Sequence, residues 1–303
     1  MATKVIVNIP GEEPYDVRIG AGVLDALGAR MHGVPSLEQA ERVLVVTDEN
    51  VAPLYRDRAR ESLASAGFRV SDIVVPAGED TKSVEVASEI WEAMAQLALG
   101  RDCAVVALGG GVVGDLAGFV ASTYMRGVTL VQAPTTLLSM VDSSVGGKTG
   151  VNLTAGKNLV GTFKQPAYVC ADTGALYTLP EREWACGCAE VAKSAVIDSD
   201  EFFFWLAEAA GALAERDEAV VAEAIARCVV FKADVVAEDK AESRGVRECL
   251  NYGHTLGHAV EALAGYGTFS HGAAVAEGMR FAARLAAALA GAPLEFVAAQ
   301  DDP

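Results

Sequence analysis

Histidine is scarce in this 303-residue chain, with four residues in all, and cations are outnumbered, 24 Lys and Arg against 41 Asp and Glu. The formal net charge of −17 gives a surface that repels phosphate backbones and anionic lipid, so neither nucleic acid nor a membrane is expected as a general partner. Any anionic ligand must therefore meet a local group of cations. Long apolar runs are missing too: "CAVVAL" and "FAARLAAALAGA" are too short or too interrupted to cross a bilayer. The opening "MATKVIVNIPGEE" lacks the apolar stretch of a signal peptide. The six cysteines, Cys103, Cys170, Cys186, Cys188, Cys228 and Cys249, sit mostly inside apolar runs. Both features point to reduced thiols and a cytoplasmic protein. What is abundant is apolar residue, 51% of a chain longer than one core usually organises, so the expectation is two packed domains rather than disorder.

Short β-branched runs alternate with helical segments up to residue 172. "KVIVNI", "RVLVVTD", "SDIVVP" and "CAVVALGG" read as strands; "GVLDALGARM", "PLYRDRARESLASAG" and "VEVASEIWEAMAQLAL" read as helices. This order predicts a parallel sheet covered on both faces, with ligands beyond the carboxyl ends of its strands. After residue 180 Ala-rich helical stretches dominate and no strand is evident, with a helix start at Glu181 after "Thr178-Leu-Pro". The expected boundaries are 1–172 for an α/β N-terminal domain with a parallel nucleotide-binding sheet and 173–303 for a mostly α-helical metal-binding domain.

Strand "CAVVAL", the fourth by this count, runs into "GGGVVGD", so Gly109, Gly111 and Gly114 satisfy G-x-G-x-x-G between strand and helix. The turn is not on the first strand, and Asp115 follows it directly, so a tight turn that needs residues without Cβ is the competing reading. Asp48, closing strand "RVLVVTDEN" with Asn50 beside it, is the better partner for a ribose. Two loops from neighbouring strands could then hold one dinucleotide. Further on, Arg126, Lys148 and Lys157 stand among Gly, Ser and Thr, a loop-like setting that suggests a phosphorylated ligand.

Three of the four histidines fall within "NYGHTLGHAVEALAGYGTFSHG". His254 and His258, four apart, project from one face of a helix. His271 follows after the loop "GYGTFS", which lets the chain fold back and present a third imidazole. A catalytic zinc keeps three protein ligands and one open position, so two histidines and a carboxylate suffice, and Glu190 sits on an otherwise small and apolar helix. Thr255 stands where H-E-x-x-H needs its glutamate, which disfavours a zinc peptidase. Cys186 and Cys188, with no second pair, read as packing residues.

The stretches "GEDTKS", "ALGGGVVGDLAGFVASTYMRGV", "QAPTTLLSMVDSSVGGKTGVN", "GKNLVGTFKQP", "AEVAKSAVI" and "LNYGHTLGHAVE…SHGAAVAEGM" resemble the 3-dehydroquinate synthases, in order and over nearly the whole chain. The resemblance implies NAD and a divalent metal, Zn2+ or Co2+, in a cleft between the two domains, and a homodimer. It implies conversion of 3-deoxy-D-arabino-heptulosonate 7-phosphate to 3-dehydroquinate and phosphate by transient oxidation, β-elimination, reduction and intramolecular aldol closure. Carried over residue by residue, it implies Glu190, His254 and His271 as metal ligands, with His258 near the substrate phosphate. Asp48, Asn50, Glu79, Lys82, Gly111, Val112, Asp115, Thr135, Thr136, Lys148, Lys157 and Thr178 match cofactor positions. Arg126, Asp142, Lys148, Asn158, Lys193, Lys232, Arg247 and Asn251 match the polar lining around substrate and cofactor.

Two departures stand out. "KADVVAEDKAESRGVR", from Lys232 to Arg247, is one residue longer than the family spacing, and the chain ends at "LEFVAAQDDP" where family members continue with further helices. The expectation is a C-terminally incomplete helical domain with apolar surface uncovered on "GMRFAARLAAALAG". Three other readings remain open: another sugar-phosphate cyclase such as a 2-deoxy-scyllo-inosose synthase, a metal-dependent polyol dehydrogenase, and a truncated inactive form. Arg247 and Asn251 favour the dehydroquinate synthase pattern, and Lys148, Lys157 and Lys193 favour a phosphorylated substrate.

Overall fold

A computed structural model of the chain describes residues 2–265 and 269–301. Tyr266, Gly267 and Thr268, part of the loop expected to return the chain towards His271, lie outside the described residues. The first half builds strands β1 (Thr3–Val7) and β2 (Tyr15–Ile19), helix α1 (Leu27–Met31), β3 (Arg42–Asp48), α2 (Asp57–Ser65), β4 (Arg69–Val75), α3 (Val84–Gln96), β5 (Ala104–Gly109), α4 (Gly111–Thr123) and β6 (Thr129–Pro134). A hairpin of β7 (Lys148–Leu153) and β8 (Gly156–Phe163) and a last strand, β9 (Tyr168–Ala171), complete it. Helices α5 (Glu181–Asp198), α6 (Asp200–Ala214), α7 (Glu218–Glu238), α8 (His254–Ala264), α9 (His271–Ala290) and α10 (Leu294–Asp301) follow, and no described residue after Ala171 is in a strand. The fold class is that expected: an α/β half with a mostly parallel sheet, then a helical half.

The seven-stranded sheet runs β1-β2-β9-β6-β5-β3-β4, parallel throughout except for β1, which pairs antiparallel with β2 at the edge. Its central strands are buried on both faces: Val43 to Val46 and Ala104 to Leu108 are at most 1% exposed. Continuous apolar strands of this kind need helices on both sides. Ala59 and Leu63 of α2 pack on one face, together with Val191 and Val229 from the helical half. Ala87 and Ile90 of α3 and Leu116 and Val120 of α4 pack on the other.

Three details differ from the sequence reading. Tyr15–Ile19 is a strand, so the glycine turn follows the fifth strand, not the fourth. Its alternating Asp16 and Arg18 gave it no apolar run, but β1 and β9 pair with it on either side. Lys148 and Lys157 stand on the strands of the β7–β8 hairpin, not on loops. The expected helix from Gly22 divides into a 3-10 turn at Val23–Ala26 and the short α1. On α9, Phe281, Leu285 and Leu289 are 50%, 44% and 79% exposed.

Candidate active site

Strand order places β3 between β4 and β5. The chain therefore leaves β3 towards one face through α2 and leaves β5 towards the other through α4, which makes the gap between their carboxyl ends a switch point of the sheet. Asp48 ends β3 there, its Oδ1 accepting from the N–H groups of Asn50 and Val51 at 2.9 Å each. The glycine turn ends β5 beside it. Gly109 has no room for a side chain, since a Cβ would lie 2.7 Å from Val113 Cγ2. Helix α4 starts at Gly111 behind Gly110 with no side-chain cap, so its first-turn N–H groups, Gly111 and Val112 included, are available to an anion.

Around this edge a polar network collects the other expected residues. Lys82 Nζ donates to Asp115 Oδ2 and to Asn158 Oδ1. The Asn158 N–H donates to Asn152 Oδ1 at 2.9 Å, and Asn152 Nδ2 donates to Glu79 Oε1 at 2.8 Å. Lys157 Nζ lies 4.0 Å from the same Glu79 oxygen. Burial raises the Asp115 carboxyl above its ordinary range, opposed by the Lys82 ammonium. Thr135 is buried after β6, its hydroxyl without a hydrogen-bond partner among the described residues, and Thr136 bonds to Ser139 Oγ at 2.8 Å. Thr178 shares a 2.5 Å hydrogen bond with Tyr55 in the turn after β3.

The network continues into the helices. Asp142 lies in a π-helical turn (Ser139–Ser143) and accepts from Lys232 Nζ of α7 at 2.5 Å. Burial acts to raise Asp142, but the ammonium groups of Lys232 and Lys193 outweigh it and hold the carboxyl well below its ordinary value. Between Lys232 and Arg247 the chain turns through a loop after α7, where Asp239 accepts from the N–H groups of Ser243, Arg244 and Val246. Lys232 is thus within the site despite the longer spacing. Arg247, 1% exposed, donates to Lys240 O at 3.1 Å and lies over the Phe163 ring of the hairpin. Lys148 reaches Glu242 of that loop at 2.7 Å. Asn251, at the end of the following 3-10 turn, is exposed.

The histidines converge as their scarcity suggested. His254 opens α8 and His271 opens α9. Their Nε2 atoms lie 3.7 Å and 3.6 Å from the same Glu190 Oε1 on α5, and donor atoms of all three residues fall within 4.8 Å of one another. Neighbouring donors of a tetrahedral zinc are about 3.4 Å apart, given zinc–donor distances of 2.0–2.2 Å. Glu190 is 1% exposed, with Oε1 lacking any hydrogen-bond partner among the described residues, while its other oxygen pairs with Lys193. A buried carboxylate oxygen left without a donor is costly unless a cation completes it, so the donor set fits a divalent ion. Burial lowers His254, which favours the neutral imidazole a metal needs.

Two glycines allow this convergence. Gly272 packs so closely on α5 that a Cβ would lie 2.5 Å from Cys186 Cα, and Gly278 of α9 would drive one into the Gly253 carbonyl beside His254. Cys186 is itself buried and accepts from the Gly272 N–H at 3.1 Å. It is a packing residue in this contact.

The chain matches two family models, 3-dehydroquinate synthase N-terminal over residues 72–186 and 3-dehydroquinate synthase C-terminal over residues 187–300. It is 50% identical over 276 residues to the 3-dehydroquinate synthase of Desulforamulus reducens, covering 91% of this chain and 76% of that one. The chain belongs to the 3-dehydroquinate synthase family. Two solved structures of other cyclases are also similar. A 2-deoxy-scyllo-inosose synthase complexed with carbaglucose-6-phosphate, NAD+ and Co2+ superposes with a TM-score of 0.90 at 29% identity, over 99% of this chain and 79% of that one. The 2-epi-5-epi-valiolone synthase of Streptomyces hygroscopicus, with NAD+ and Zn2+ bound, gives 0.80 at 28% identity over 98% and 83%.

For this member of the 3-dehydroquinate synthase family, one expected residue is not brought into the cluster. Arg126 follows α4 in a turn where Met125 and Arg126 both have positive φ. Helix α4 starts at the carboxyl edge of β5 and ends at Thr123, shortly before β6 begins opposite Ala104. Arg126 therefore lies exposed at the opposite edge of the sheet. Conversely, Glu261, which the sequence reading passed over, is 8% exposed and its Oε2 lies 3.0 Å from His271 Nδ1. Its place in "HAVE", one helical turn after His258, was the available signal.

Proposed function

We propose that the protein converts 3-deoxy-D-arabino-heptulosonate 7-phosphate to 3-dehydroquinate and phosphate, as its family name and its site chemistry support. The observation that carries this is the convergence of Glu190, His254 and His271 on one point, in a chain whose parallel sheet also gathers Lys82, Asp115 and Asn158 at its switch point. Glu190, His254 and His271 would hold a divalent ion, Zn2+ or Co2+, and Asp48, Asn50, Glu79, Lys82, Gly111, Val112, Asp115, Thr135, Thr136, Lys148, Lys157 and Thr178 would hold NAD. When bound, NAD supplies a reversible hydride acceptor and the metal a Lewis acid for the hydroxyl being oxidised.

The chain's own residues then have three tasks. Lys193, Lys232, Lys148 and Arg247 neutralise the carboxylate and phosphate of the substrate inside an otherwise acidic protein, and Asn158 and Asn251 bond its hydroxyls. Asp142, kept ionised by Lys232 and Lys193, fixes where those ammonium groups point. His258, on the solvent side of the cluster, stands near the departing phosphate. Holding one conformer with its charges neutralised is the main contribution. We place the domain boundary at 172/173, and propose a cytoplasmic homodimer; among the described residues no helix is long and apolar enough to cross a membrane. Arg126 lies away from this chain's own cluster.

The test is phosphate release from the heptulosonate phosphate with and without chelator. Chelator-sensitive release with no net NADH is expected. Net NADH from a simple polyol would replace this reading with a dehydrogenase, and neither product with NAD bound would mark an inactive form. A 2-deoxy-scyllo-inosose synthase activity is the second reading, favoured by the TM-score of 0.90; the 50% identity to a 3-dehydroquinate synthase outweighs it. Turnover of glucose 6-phosphate in place of the heptulosonate would reverse that order.

A further inference from the structure

Both histidines of the cluster are anchored through the ring nitrogen that faces away from Glu190. His254 Nδ1 lies 3.3 Å from the Tyr252 carbonyl oxygen, and His271 Nδ1 lies 3.0 Å from Glu261 Oε2. We infer that Glu261 is a positioning residue for metal binding: its carboxylate accepts the Nδ1–H of His271, fixes that tautomer, and turns the Nε2 lone pair towards Glu190 and the ion. This rests on the metal reading proposed above.

The two anchors differ in kind. A backbone carbonyl orients His254 without charge, whereas a carboxylate also makes the imidazole more basic and a stronger donor. Glu261 is suited to the task because α8 carries it, buried, beneath the start of α9 while His258 on the same helix stays exposed. His258, Glu261 and His271 are themselves close enough to hold an ion. An ion there together with one at Glu190 would need His271 to coordinate through both nitrogens as an imidazolate, while the hydrogen bond needs only the neutral ring, and 3.0 Å is an ordinary length for it.

Zinc affinity of the full chain, measured by competition with a fluorescent chelator, tests this together with the 15N shifts of His271 in metal-free protein. Glu261→Leu is expected to weaken zinc about ten- to a hundred-fold, with Glu261→Gln falling between it and wild type because its amide oxygen still accepts a hydrogen bond. The Nδ1–H tautomer of His271 should dominate in wild type and give way to a mixture in Glu261→Leu. If Glu261→Leu misfolds, the Gln variant carries the test on its own affinity and 15N shifts. Folded Gln and Leu variants with wild-type affinity, beside a His271→Ala variant that loses zinc, would overturn the positioning role and leave the metal reading standing. Retained zinc in all three would remove both. Two zinc equivalents in wild type, one lost in the Glu261 variants, would overturn the inference in favour of a second ion.

Discussion

The carboxyl edge of the sheet and the mouth of the helical half treat charge in opposite ways. At the sheet, charged side chains have found each other: Lys82 with Asp115, Lys157 near Glu79. Among the helices, Glu190 Oε1 and two imidazole nitrogens point at one another with no proton donor between them. The first arrangement is a lining whose partners can be exchanged when an anionic ligand arrives. The second is a donor set that fits a cation, since no described side chain bonds Glu190 Oε1. Pairing separates the two roles rather than solvation, since Lys82 and Glu190 are both buried but only the sheet carboxylates have an ammonium on the oxygen in question.

The largest effect that could break this contrast is loss of a ligand from the helical cluster. His271→Ala should lower metal content and turnover together, turnover by about a thousand-fold or more, the several kcal/mol expected of a Lewis acid. NAD affinity, measured by fluorescence titration, should change little, and unchanged metal content would remove His271 from the ligand set. Gly278→Ala comes next: overpacking against the Gly253 carbonyl should cost about 1–3 kcal/mol of stability, read by denaturant unfolding, with metal affinity weakened alongside. On the sheet side, Asp48→Ala should weaken NAD about ten-fold, a loss of about 1.4 kcal/mol, and leave metal content intact. A fall in metal content there would show that the two regions are not separable.

The smallest effect concerns the junction. Asp142 is depressed in the folded chain relative to its ordinary 3.8, so its contribution to stability is present above that value and lost as pH falls through the lower, native one. Lys232→Met removes its nearest cation, and the acid-unfolding midpoint should move up by up to about one pH unit. An unchanged midpoint would mean that Lys193 alone holds Asp142.

Much of the metal cluster was legible because histidine is rare here, and its clustering stands out against so little background. The parallel sheet was legible from β3 and β5, whose residues are apolar without interruption. The β7–β8 hairpin was not, since "KTGVNL" and "GKNLVGTF" are Gly- and Thr-rich and owe their pairing to contact with α4, including Thr149 against the bare face of Gly118. Lys148 and Lys157 were accordingly placed on loops. Glu261 escaped notice because its partner, His271, is brought across to it only by tertiary folding. Arg126 shows the converse: a motif match alone singled it out, and the length of α4 sets it apart from this chain's own cluster.

Glu190 stands on α5, and His254 and His271 open the consecutive helices α8 and α9, with α6 and α7 between α5 and that pair. An ion shared by them is therefore a brace between three rods, and its binding free energy belongs to the folding of the helical half. Under metal starvation such a protein should first become susceptible to proteases around α8 and α9, while the sheet with its dinucleotide crevice stays resistant.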